Sequence, residues 1–360
     1  MKKTGQISAF QMFAILFLCR VISLFTFMLP TTLYLQSGDR IITTIPVMLF
    51  EIAFASIALY ALKRTDNRSI ITAAGDINRF LPRIFSVLYA FCFIWFAGIG
   101  VARFELFIST VMFPNSELYL MVLLLLASAF YASLKGIESI ARTSSILLAI
   151  LGTSVVFILI TVSGDFNYTN LKPLFTDGMT PIISFAFYVS VRTVEIITLL
   201  ITAPCINGNK TKLTYSWIVV FSFVTLIILS VLGGVTGEYG DDQIFPLYTL
   251  TVIARFGIFE RLDDILTGIW VLCSFIQLSF LIFSASLSIK QGFPKSKKIP
   301  VCFVCSIGIF CFYLLSSSTV TRFSEIASSR VQEIFYLGLT IVIPILIIIF
   351  KDFRKRREKT

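Results

Sequence analysis

Arg192 and Glu195 lie three residues apart in the apolar run FYVSVRTVEIITLL. A guanidinium and a carboxylate at i and i+3 of a helix share one face. Such a pair can lock two spans together as a buried ion pair, or it can form a ligand or proton site. Either role must repay a cost, because a charge at the centre of a bilayer costs about 2.5 to 3.5 kcal/mol on insertion scales. Tyr188, Thr198 and Thr202 continue the charged face, while Val191, Val194 and Ile197 form an opposite stripe that can meet lipid or apolar neighbours.

Four more charges fall inside apolar runs: Arg20, Glu51, Arg103 and Glu105. With Arg192 and Glu195 they form a set that is neutral as a whole, as a low dielectric demands. Intramembrane charges face a bundle interior or a wet cavity and mark a ligand or ion path. At 1.5 Å per residue, Arg20, Glu51, Arg192 and Glu195 all reach mid-depth. Together with Ser23 and Tyr188 they are the expected ligand-binding residues. Arg103 and Glu105 lie further out, on different faces of a regular helix, and are expected at an outer vestibule or gate. The chain has no His, which removes the commonest titrating relay and leaves Glu51, Glu105 and Glu195 as the proton carriers available.

Other chemistry is not expected. There is no nucleophile–base arrangement, phosphate loop or metal cluster, so no enzyme, cofactor or metal is anticipated. Cys302 and Cys305 have CxxC spacing, but they lie in an apolar span and are expected to be packing residues, since a structural metal site needs four ligands.

The elements that hold these residues follow from composition. The chain has 360 residues, is 57% hydrophobic and only 14% charged, against about 25% charged in a soluble domain. Its mean hydropathy is +0.90. Runs of about 20 apolar residues predict ten transmembrane helices, at roughly 8–30, 41–62, 84–113, 117–135, 141–163, 180–204, 213–236, 264–289, 300–318 and 331–350. With a cytoplasmic N-terminus, the outer segments hold Arg40, Lys172, Arg255, Arg261, Arg322 and Arg330. Apart from the three intramembrane arginines, every other Lys and Arg falls inside. Cytoplasmic loops carry the Lys/Arg excess, so both termini are expected in the cytoplasm. The net charge of +10 is therefore an orientation signal, and nucleic acid is excluded as a partner. The opening MKK and its apolar run are too long for a signal peptide and lack a small-residue cleavage site.

The expected class is thus an all-α membrane protein, with residues 1–360 as one transmembrane domain. Ten spans divide into two five-span halves of opposite orientation, about 8–163 and 180–350. Such inverted repeats are a transporter design, with broken first helices and a midplane site. Spans 1 and 6 are then equivalents, each with one mid-depth arginine, and unwinding is expected within 18–28 and 186–196. Residues 237–263 read as an extracytoplasmic amphipathic segment, and 351–360 as a basic cytoplasmic tail.

Several stretches carry a family likeness: LKPLFTDGMTPII before span 6, the glutamate of VEIITLL, KGIESIARTSSIL leading into span 5, and FPLYTL with GIFERLDDILTGIWVL leading into span 8. On these the chain resembles the B subunit of Ger-type nutrient germinant receptors of spore-forming bacteria, in the amino acid–polyamine–organocation transporter superfamily. The resemblance implies a LeuT-like fold with a small nutrient, commonly an amino acid, between spans 1, 3, 6 and 8. It also implies a place in the spore inner membrane beside a larger A-type membrane subunit and a lipoprotein C-type subunit. By position, Glu195 matches the span-6 glutamate, and Phe104 with Glu105 matches a Phe-Glu pair. The family often has Gly-x-Gly in span 1, where this chain has Ser23 and Phe25. Phe25 would crowd a pocket that expects bare amides. Two alternatives stand beside the receptor: a proton-coupled amino acid transporter acting on its own, and a structural subunit with a degenerate pocket.

Overall fold

The computed structural model describes residues 5–25, 35–113, 118–175, 178–241, 243–254, 263–316, 326 and 329–357. The side chain of Ser23, that of Phe25 and residues 26–34 lie outside the described part, as do 255–262 of the outer segment and the end of the basic tail.

The chain is almost wholly helical. Strand β1 (Ile7–Ser8) leads into α1 (Ala9–Phe25), followed by α2 (Ser37–Ile42), α3 (Thr44–Arg64), α4 (Ile70–Ala74), α5 (Leu81–Phe107), α6 (Tyr119–Lys135) and α7 (Ile137–Val162). The second part holds α8 (Met179–Val191), α9 (Val194–Thr202), strand β2 (Ile206–Asn207), α10 (Lys210–Thr236), α11 (Glu238–Asp241), α12 (Pro246–Ile253), α13 (Asp263–Gly292), α14 (Lys298–Ser316), α15 (Arg330–Leu337) and α16 (Ile343–Arg357). Among the described residues, eight helices are long and apolar enough to cross a membrane. The shorter apolar helices α1 and α6 fall where the first and fourth spans were expected.

Local chemistry accounts for the helix ends. Ser8 and Gln11 form a capping box at the start of α1: Gln11 N–H donates to Ser8 Oγ at 3.2 Å, and Ser8 N–H donates to Gln11 Oε1 at 3.0 Å. Asn209 caps α10 by accepting from Lys212 N–H at 3.0 Å. Gly338–Val342 is a wide π-type turn between α15 and α16. It passes the Ile343 N–H to the Gly338 carbonyl and frees the carbonyl of Leu339, which accepts from the Tyr89 hydroxyl at 2.8 Å. Pro344, which has no N–H to donate back along the helix, follows directly.

The basic loop after α3 is partly packed into the bundle. Its segment 70–74 folds in as α4, with Ile70, Ile71, Ala73 and Ala74 fully buried against α5, α9, α13 and α16. At the loop's surface, a hydrogen bond to Asp76 raises the pKa of Arg68.

The centre of the bundle is α13 with α8 and α9. The most apolar windows of these two spans are 72% buried, against 22 to 50% for the other long spans. Lipid tails are as apolar as leucine, so helices in a bilayer associate by close packing at small residues. Gly98 of α5 is one such point: a Cβ there would lie 2.6 Å from Phe312 Cβ on α14. Phe104 and Phe107 of α5 pack on Trp270 of α13 at 5.6 and 4.2 Å.

Candidate functional site

The sixth span is broken. α8 ends at Val191 and α9 begins at Val194, with Arg192 and Thr193 between them. Thr193, at φ −76 and ψ 76, is the centre of an inverse γ-turn, closed by Val194 N–H donating to the Arg192 carbonyl at 2.9 Å. Thr193 would ordinarily spend its hydroxyl capping α9, but the hydroxyl donates instead to Glu51 Oε1 on α3 at 2.7 Å. A break in a membrane helix is tolerated where it is buried in protein or lines a cavity. Here Ser190 also secures it, donating to the carbonyls of Ala186 at 2.7 Å and Val47 at 3.2 Å.

Glu51 also receives Arg20 of α1. Arg20 Nη2 lies 2.7 Å from Glu51 Oε1, and both side chains are buried. One carboxylate oxygen thus ties α1, α3 and the break in the sixth span together. Gln277 of α13 adds a second hold on α1 by donating to the Cys19 carbonyl at 3.0 Å. Helical backbone persists through Phe25 in α1. Of the two expected unwound segments, 186–196 is interrupted. Within 18–28, residues 18–25 are helical and 26–28 lie outside the described residues.

Glu195 sits in the first turn of α9, where the helix macrodipole favours an anion. It is buried, within electrostatic reach of Arg20 and Glu51, and has no ion-pair partner among the described residues. Its Oε2 has no hydrogen-bond partner among them either. Arg103, half-buried on α5, lies within electrostatic reach of Arg20 and Tyr188, and its Nε has no partner among the described residues.

The expected pairing of Arg192 with Glu195 is corrected. The γ-turn rotates the two residues off a common helical face, and Arg192 turns to Glu333 of α15. Arg192 Nη1 lies 2.9 Å from Glu333 Oε1, donates at 3.3 Å to the Tyr188 carbonyl, and its guanidinium carbon is 3.6 Å from the centre of the Tyr188 ring. Glu333 stands at the start of the tenth expected span, 331–350, and was missed as an intramembrane charge. The signal available was the polar set Gln332, Glu333 and Tyr336, one turn of one helix, in which Gln332 donates to the Tyr336 hydroxyl at 2.6 Å.

The remaining expected residues separate. Glu105 accepts from Tyr313 of α14 at 2.9 Å and faces away from Arg103. Thr198 and Thr202 donate to carbonyls of their own span, at 2.7 and 2.8 Å, and bring no free hydroxyl to the site. Val191, Val194 and Ile197 are buried in protein and meet no lipid. Cys302 and Cys305 are buried free thiols.

The chain is similar to known proteins over most of its length. A family model described as "Spore germination protein" matches residues 6–322. Spore germination protein KB of Bacillus subtilis (strain 168) is 24% identical over 293 residues, covering 78% of this chain and 78% of that protein. Spore germination protein XB of Bacillus anthracis is 26% identical over 213 residues, covering 57% of this chain and 59% of that protein. Among solved structures, Mhp1 is a nucleobase-cation-symport-1 family transporter in a closed conformation with bromovinylhydantoin bound. It aligns with a TM-score of 0.66 over 94% of this chain and 78% of its own, at 12% identity. That likeness shows the fold alone, an all-α transporter fold of the LeuT type.

Proposed function

The chain belongs to the spore germination protein family, and on that premise we propose that it is a receptor subunit that senses a small nutrient, an amino acid in the first instance, at mid-depth. The observation that supports this most is Glu195, a buried carboxylate with one oxygen unpartnered among the described residues, at the N-terminus of a half-helix beside a broken span. Broken helices of this kind carry ligand sites in transporter folds. A zwitterion fits the electrostatics. Its ammonium group meets Glu195, and its carboxylate meets Arg103. Binding drives a response only through different affinity for two conformations. The network of Arg20, Glu51 and Thr193 is the element to be biased, because it joins α1 and α3 to the break. In this reading the response passes to a larger membrane subunit and a lipoprotein subunit in the spore inner membrane. The basic loops support cytoplasmic termini.

Glu195→Gln and Arg192→Leu, alone and combined, test the site. Loss of a charge-assisted contact of about 1.5 to 3 kcal/mol predicts that Glu195→Gln raises the nutrient concentration for half-maximal germination by roughly tenfold or more. A wild-type response from all three variants at normal protein levels would refute the assignment. Uptake of a labelled amino acid by proteoliposomes holding this chain alone, abolished by collapsing the pH gradient, would make it a transporter instead.

A further inference from the structure

Two adjoining cavities lie away from the broken span, along α6, α7 and α13. The first, of about 360 Å³, opens at the end of the bundle that carries the basic loops, and its lining includes Lys135, Lys290, Lys298, Gly136 and Glu138. The second is a groove of about 510 Å³ between α6, α7 and α13, lined by Ala127, Ser128, Tyr131, Ala132, Thr143 and Phe275, among others. Lys135 belongs to both.

The first cavity is net cationic, with three lysines against the one carboxylate of Glu138. None of its three lysines is in an ion pair among the described residues. Lys298 is held by a neutral group, donating to the Leu134 carbonyl at 2.7 Å. Lys290 is half-buried, which keeps its charge from dispersing into bulk water. Glu138 accepts the Gln6 N–H at 3.1 Å, so its carboxylate is committed to the segment before α1. The N-terminus of α7 enters the same cavity without a side-chain cap, adding donors and positive potential.

The groove is apolar in effect. Ser128 and Thr143 donate to carbonyls of their own helices, at 2.7 and 3.2 Å, so their hydroxyls ask nothing of an occupant. Tyr131, largely exposed, places its ring 5.0 Å from the Lys135 ammonium, at the boundary of the two cavities. An aromatic ring with a polar tip belongs at a headgroup level.

We propose that these cavities form one site for an anionic phospholipid of the leaflet at the basic end. The phosphate-bearing headgroup sits among Lys135, Lys290 and Lys298, and one acyl chain lies in the groove. Free phosphate would use the lysines but leave the groove idle. Basic pockets between transmembrane helices select lipid headgroups by this charge complementarity. The site is separate from the broken span and does not depend on what that span binds.

The test uses the full chain in neutral detergent with three probes: phosphatidylglycerol, phosphatidylcholine with the same acyl chains, and inorganic phosphate. Intrinsic fluorescence reports Tm, and native mass spectrometry reports retained lipid. Phosphatidylglycerol is expected to raise Tm and be retained, and the other two are not. Each of Lys135→Gln, Lys290→Gln and Lys298→Gln should lower phosphatidylglycerol affinity about fivefold, and the three together about a hundredfold, with Tm in phosphatidylcholine unchanged. Thr143→Trp, which fills the groove and leaves every charge in place, should also weaken retention. Lys290→Gln and Thr143→Trp carry the test if the triple variant fails to fold. Equal effects of the two lipids, or phosphatidylglycerol binding untouched by Lys290→Gln and Thr143→Trp, would overturn the proposal. A full Tm shift from phosphate alone would overturn it in favour of a free-anion site.

Discussion

Removing the Glu51 carboxylate should destabilise the fold more than removing the whole Arg20–Glu51 pair. Glu51 Oε1 accepts from Arg20 Nη2 and from Thr193 Oγ1, each at 2.7 Å, in a buried setting. Breaking one side of a buried pair costs about 3 to 5 kcal/mol, because the remaining charge stays in low dielectric. Glu195 lies within electrostatic reach of Arg20, which holds the cost of Glu51→Leu near the lower bound, about 3 kcal/mol. Arg20→Met combined with Glu51→Leu removes both charges and should cost less than Glu51→Leu alone. Reversible unfolding in mixed micelles of dodecyl sulfate, read for the two single variants and the double, gives the coupling energy directly. It should be about 3 kcal/mol or more in favour of the native pair. Additive single costs, with coupling below about 0.5 kcal/mol, would refute the idea that this pair holds α1 to α3.

Other consequences are simpler to check. Thr193→Val, which removes the hydroxyl that bonds Glu51, should cost about 1.5 kcal/mol in the same unfolding assay, and Thr193→Ser should restore most of it. Gly98→Val pushes a side chain into Phe312 and should destabilise by about 1 to 3 kcal/mol, relieved by Phe312→Ala. Arg68→Ala breaks an ion pair whose side chains are 43% and 41% exposed; solvent screening limits its effect to at most about 1 kcal/mol.

The charged residues that matter were legible because charge is rare in a span, so Arg20, Glu51, Arg192 and Glu195 stood out by cost alone. Depth counting placed Arg20 and Glu51 at similar levels on successive spans, but it could not say that they touch. Who pairs with whom was beyond reach wherever backbone geometry decided it. A single γ-turn at Thr193 undid the i, i+3 pairing on which Arg192 and Glu195 were read. No glycine or proline marks that turn, because its stability comes from Glu51, a residue more than a hundred positions away. Glu333 escaped for a different reason. It stands at the very start of the tenth expected span, where depth gives nothing to mark it as an intramembrane charge. α4 was hidden too, since a short apolar stretch between basic residues reads as surface.

The two-residue strands deserve a mechanical reading. β1 and β2 run parallel, with Ile7 opposite Ile206 and Ser8 opposite Asn207, and Asn207 Nδ2 adds a bond to Gln6 Oε1 at 2.9 Å. They fasten the start of α1 to the chain leaving α9, so the two segments that would line a central passage share a clasp at the basic end. Parting them there means unzipping a backbone ladder. Further into the bundle, the Arg192–Glu333 contact joins separate spans through side chains alone. Any rearrangement that separates α1 from the end of α9 at the basic end must break the β1–β2 ladder first.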